Sequence, residues 1–117
     1  MKAAELGDRL LEFAARCFGL GVRLCRSAAG RYLADQLIRS SASAGANYEE
    51  ARGAESRADF LHKLQLVLKE LRESGYWLKL ISRTAQATGV ELAALMAESE
   101  ELVRIFVKAV VTAKSRR

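Results

Sequence analysis

The sequence predicts an all-α chain, folded as an up-down-up-down antiparallel four-helix bundle. Three observations carry that expectation. Proline is absent from all 117 residues, while half of them are apolar. Apolar residues recur in alternating steps of four and three, the signature of one helix face, in four successive blocks. The blocks are separated by short runs of Ser, Ala, Thr and Gly, which suit tight turns between antiparallel neighbours. No segment alternates with period two, so no sheet is expected. One domain, residues 1–117, is long enough to bury its own core.

The first helix is expected over about Ala4–Arg26, with Leu6, Leu10, Phe13, Cys17, Leu20 and Leu24 on one face. Ser27-Ala-Ala-Gly30 is read as the following turn. The second helix spans about Arg31–Arg52, and Leu33, Leu37, Ser40, Ala44, Tyr48 and Ala51 form its inner face. Within it, Ser40 to Ala46 resembles a linker by composition, yet the helical phase runs straight through. Glycine there costs about 1 kcal/mol against alanine. In exchange, the thin surface lets another helix approach closely. Gln36, Ser43, Asn47 and Glu50 fall along one flank of this face, Ile38 and Gly45 along the other.

The third helix is the longest, about Arg57–Ala87. Its seam is Phe60, Leu64, Val67, Leu71, Ser74, Leu78, Ile81 and Ala85, opened by a capping pair, Ser56 and Asp59. The fourth spans about Gly89–Ala113, with Leu92, Leu95, Ser99, Leu102, Phe106 and Ala109 as its seam. Thr88 and Glu91 are read as its capping pair. Leu66, Trp77 and Leu80 fall roughly opposite the inner face of the third helix, so they predict an outward apolar line and a subunit interface.

The net charge of +5 favours acidic partners such as nucleic acid. The candidate contacts are Arg39, Arg52, Arg57, Lys63, Lys69, Arg72, Lys79 and Arg83, with the tail cations Lys114, Arg116 and Arg117. They lack interleaved aromatics, so binding is expected to be directed at the backbone and sensitive to salt. The first ten residues carry no secretory pattern, and no apolar run is long enough for a membrane span. A cytoplasmic protein follows as the expectation. Cys17 and Cys25 would lie about 12 Å apart on one helix, too far for a disulfide. With His62 as the lone histidine, no metal site is expected, nor any cofactor or small-molecule substrate.

Catalytic patterns are sparse. There is no phosphate loop and no nucleophile elbow. Glu49 and Glu50 diverge by about 100° on a helix, so they cannot act at one site. Arg57 and His62 have the spacing of the motif in HEPN-type ribonucleases, which gives an alternative reading as a metal-independent ribonuclease.

The runs Gln36 to Glu50, Ser56 to Phe60 and Lys69 to Leu78 resemble the 23S rRNA intervening-sequence protein family, small bacterial four-helix bundles. The small-residue helix followed by Asn47-x-x-Glu50, with Ser43 one turn before, is the distinctive part. Ala51 departs from the glycine found in many members. The resemblance implies a ring-like homo-oligomer, a pentamer, with no established enzymatic activity. It also implies a partner that is RNA or a ribonucleoprotein, such as a reverse transcriptase with its nucleic acid. The expected function is therefore a non-enzymatic oligomeric bundle that binds RNA or a ribonucleoprotein through a basic surface. A protein-interaction scaffold without nucleic acid is the third reading.

Overall fold

In the computed structural model, which describes residues 1–116, four helices follow one another: α1 (Ala3–Leu24), α2 (Ala28–Arg52), α3 (Arg57–Arg83) and α4 (Val90–Ser115). The described residues contain no strand. Each helix packs on the next, and α4 closes back on α1 along the sparsest of the four seams. The molecule measures 48 × 20 × 20 Å. All four helices therefore run lengthwise. One end, here the near end, holds the start of α1, the α2–α3 turn and the close of α4. The far end holds the other two turns.

The predicted seams form the core. Leu10, Phe13, Cys17 and Leu20 of α1 are buried, as are Leu37, Ser40, Ala44 and Tyr48 of α2. Leu64, Leu71 and Leu78 face Leu95, Leu102 and Phe106 across the interior. Tyr48 and Phe106 meet edge to face at 5.5 Å, a favoured aromatic arrangement. Small residues let α2 lie close to both neighbours. The Ser40 and Ser74 hydroxyls bond each other at 2.9 Å, and Ser74 also donates to the Glu70 carbonyl. A Cβ added at Gly21 would stand 2.8 Å from Ile38 Cδ1, so α1 and α2 nearly touch there. The α1–α4 seam is joined instead by side chains: Arg9 forks onto Glu98 with two 2.7 Å bonds, and Arg16 reaches Glu91 at 3.1 Å.

Four expectations are corrected. The first turn is shorter than Ser27–Gly30, because the Ser27 hydroxyl accepts the Gly30 N–H and starts α2 at Ala28. The third helix stops at Arg83, not Ala87. There the Gln86 N–H bonds the Ile81 carbonyl and the Ala85 N–H bonds that of Ser82, while Ala85 takes a left-handed φ of 55°. This is a Schellman closure with alanine where glycine is usual; Ala85 there, and Phe60 at the opposite end of the predicted seam, are exposed. The Thr88–Glu91 pair is not the cap of α4, because Gly89, at φ 100°, occupies the cap position one residue later, with no side-chain cap bond. Ser56, by contrast, caps α3 through the Asp59 N–H at 3.0 Å.

The fourth correction concerns how far outward Leu66, Trp77 and Leu80 face. All three are half-buried, and Trp77 and Leu80 pack against the core. Their line on α3 also holds Glu70 and Glu73, and it looks toward α2, which covers it. Tyr32 of α2 stands edge-on to Trp77 at 5.8 Å, and Tyr76 does so at 5.1 Å. The exposed apolar line lies on α1 instead, where Leu11, Phe18 and Val22 are 66%, 56% and 60% exposed.

Candidate nucleic-acid interface

The cations of α2 and α3 separate into two rims. On the rim toward α2, positive charge is cancelled by neighbours. Arg39 bonds Glu73 at 2.7 Å and lies 3.6 Å from Glu70; Lys63 bonds Glu50 at 2.9 Å. The hydrogen bond from Arg39 holds the Glu73 carboxyl below its ordinary range, and the bond to Glu50 raises the Lys63 ammonium. Arg52 is taken up by Glu49 at 3.1 Å. The Ser43–Asn47–Glu50 series belongs to this same seam. Asn47 donates to the Ser43 carbonyl at 2.9 Å, Ser43 donates to Glu70 at 3.2 Å, and Glu50 holds Lys63. These residues lace α2 to α3 with polar bonds, and their geometry is that of a structural seam.

The other rim faces α4. Lys69, Arg72, Tyr76, Lys79 and Arg83 follow one another in steps of three and four, so they share one helix face. The row is roughly 21 Å long at 1.5 Å per residue. Among the described residues none of its cations is in a salt bridge. Two shallow depressions, of about 610 and 440 Å³, lie along the α3–α4 groove and share Arg72 and Tyr76. Lys69 and Lys114 border the first, Lys79 and Arg104 the second. The carboxylates that line them are Glu73, already held by Arg39, and Glu100. Gly75 lets α4 come close behind the groove, since a Cβ there would meet Ser99 Oγ at 3.0 Å.

Tyr76 is 58% exposed in the middle of this row. The expectation that the basic surface lacks an interleaved aromatic is corrected there. A ring among unpaired cations can stack on a base while the cations hold the flanking phosphates. Sequence reasoning missed Tyr76 and Arg104. The signal for Tyr76 was present in the three-four spacing of Lys69, Arg72, Lys79 and Arg83. Arg104 enters only because α4 packs antiparallel to α3.

The remaining cations lie elsewhere. Arg57 and Arg116 stand together at the near end, where an Arg57 guanidinium N–H donates to the Arg116 carbonyl. Arg117 lies outside the described residues. Arg57 and His62 are five residues apart on one helix, about 140° around its axis, so the structure does not bring them to one site. Among the described residues no group of His, Cys, Asp and Glu can hold a metal ion. Burial pushes the Cys17 thiol up to about 12, which keeps it protonated and inert. No described helix is long and apolar enough to cross a membrane.

Comparison with known proteins places this geometry in company. A family model described as 23S rRNA-intervening sequence protein matches residues 8–108. A crystal structure from Bacteroides thetaiotaomicron VPI-5482, described as a protein with unknown function from the S23 ribosomal protein family, is similar over 94% of this chain and 98% of its own. The two share 36% sequence identity with a TM-score of 0.86. No curated protein matches the chain.

Proposed function

The chain belongs to the 23S rRNA-intervening sequence protein family, and from that premise we propose that it is a non-enzymatic, self-associating bundle that binds RNA along the α3–α4 groove. The observation that carries this reading is the row Lys69, Arg72, Tyr76, Lys79 and Arg83, with Arg104 and Lys114 across from it. Among the described residues these cations are in no salt bridge, so phosphates meet them without first breaking an ion pair. The row reads the backbone and stacks on an unpaired base, with little sequence preference. Self-association would multiply the charge of one subunit and add avidity to weak binding.

Fluorescence anisotropy on a structured RNA with single-stranded loops tests the groove, titrated at low and at physiological salt. Wild-type affinity should fall steeply with salt. Arg72→Glu with Lys79→Glu should weaken binding at least about tenfold and flatten the salt slope, by roughly 0.7–0.9 for each phosphate that is no longer neutralised. Arg39→Gln, which removes a cation already paired, should change affinity little. Absence of binding at low salt would leave the protein scaffold as the reading. Equal binding by the double variant would move the interface off α3. The ribonuclease reading has no observation in its favour, since Arg57 and His62 face different ways.

A further inference from the structure

At the near end, where α1 closes only sparsely on α4, the bundle surface is indented. A cavity of about 570 Å³ opens between α1, α3 and α4. Leu6 and Ile105, both half-buried, line its apolar wall, and Ala109 and Ala113 on α4 are too small to fill it; Leu64 and Phe106 lie behind that wall, buried in the core. Phe60 stands at its side, 38% exposed. Tyr48 closes the floor with its hydroxyl donated toward the Ala3 carbonyl at 3.4 Å, and burial keeps the phenol neutral. The charged side chains lining the cavity are Arg57, Lys108 and Arg116. All three are cations, and no carboxylate is among the described lining residues. This open cavity therefore sets an apolar wall beside a positive rim. Its volume lies within the roughly 300–1,000 Å³ common for small-molecule sites.

That division of surface selects a ligand with the same division. We propose that the near-end cavity binds a medium-chain fatty acid, its acyl chain against Leu6, Phe60 and Ile105 and its carboxylate at Arg57 and Lys108. Removing the chain from water supplies the non-directional part of the affinity. A carboxylate at an arginine supplies the directional part, through charge-assisted bonds that a neutral head cannot make. One N–H of Arg57 donates to the Arg116 carbonyl, and among the described residues the other donors of its five have no partner. The site is separate from the α3–α4 groove, and the inference does not depend on RNA binding.

Isothermal titration with decanoate, below its micelle concentration, tests the site, with decan-1-ol as the neutral probe. One decanoate per chain is expected, bound about tenfold or more tightly than decan-1-ol. Arg57→Gln with Lys108→Gln, at exposed positions that the fold does not need, should erase that preference. Ala109→Leu should fill the cavity and abolish binding of both probes, with the helical circular dichroism spectrum confirming the fold. Arg72→Glu should leave decanoate affinity unchanged. No binding to the wild type would overturn the proposal. So would equal affinity for acid and alcohol, several decanoates per chain, or a preference that survives the double substitution.

Discussion

Ala85 shows how much a single backbone angle decides. It closes α3 in a left-handed conformation at φ 55°, which costs an L-residue with a Cβ about 1–2 kcal/mol. The two hydrogen bonds of the Schellman closure hold it there. Glycine would keep those bonds and relieve the strain, partly offset by its freer unfolded chain. Ala85→Gly should raise stability by about 0.5–1 kcal/mol, read as a higher urea midpoint with an unchanged slope; a lower midpoint would refute the account. Trp77 gives the opposite lesson at the same scale. In the sequence it reads as an exposed anchor. In the structure it is half-buried against Tyr32 and Tyr76, and its indole N–H has no partner among the described residues. Periodicity locates the core face of α3 but cannot say how far around the helix α2 reaches.

At the scale of one helix, α2 carries the sequence's least obvious decision. Ser40, Ser41 and Ala44 are all buried, so the segment that resembles a linker is the thinnest part of the interior. Ala44→Leu should overpack this close approach and cost about 1–3 kcal/mol. The check is thermal unfolding by circular dichroism, and an unchanged melting temperature would refute the close approach. The four inner faces were legible because burial imposes a period on the residues that suffer it. The rims were less so, because charge carries no period until a neighbouring helix supplies the partner. Arg39 and Arg72 look alike in the sequence; one pairs with Glu73, and the other is in no salt bridge among the described residues. Helix ends were misjudged by up to four residues where the cap was a backbone closure rather than a recognisable side chain.

For the molecule as a whole, the apolar line of Leu11, Phe18 and Val22 on α1 is what remains to be covered. Its exposure supports self-association through α1. Light scattering should give a mass well above 12.9 kDa for the wild type. Phe18→Glu should lower that mass while the helical spectrum stays intact, since the ring contributes little to the interior. A monomeric wild type would end this reading. The unequal seams carry a consequence of another kind. Where α2 meets its neighbours, backbones lie close and serine hydroxyls interlock; where α1 meets α4, the join relies on the Arg9 fork and the Arg16 bond. Such a molecule should breathe as a hinged pair of hairpins, with α1 swinging first from α4. Amide deuterium uptake would then advance from α1 and the close of α4 inward, leaving the centres of α2 and α3 protected longest. Because salt screens partly exposed ion pairs, added salt should quicken uptake in α1 while hardly touching the centre of α2.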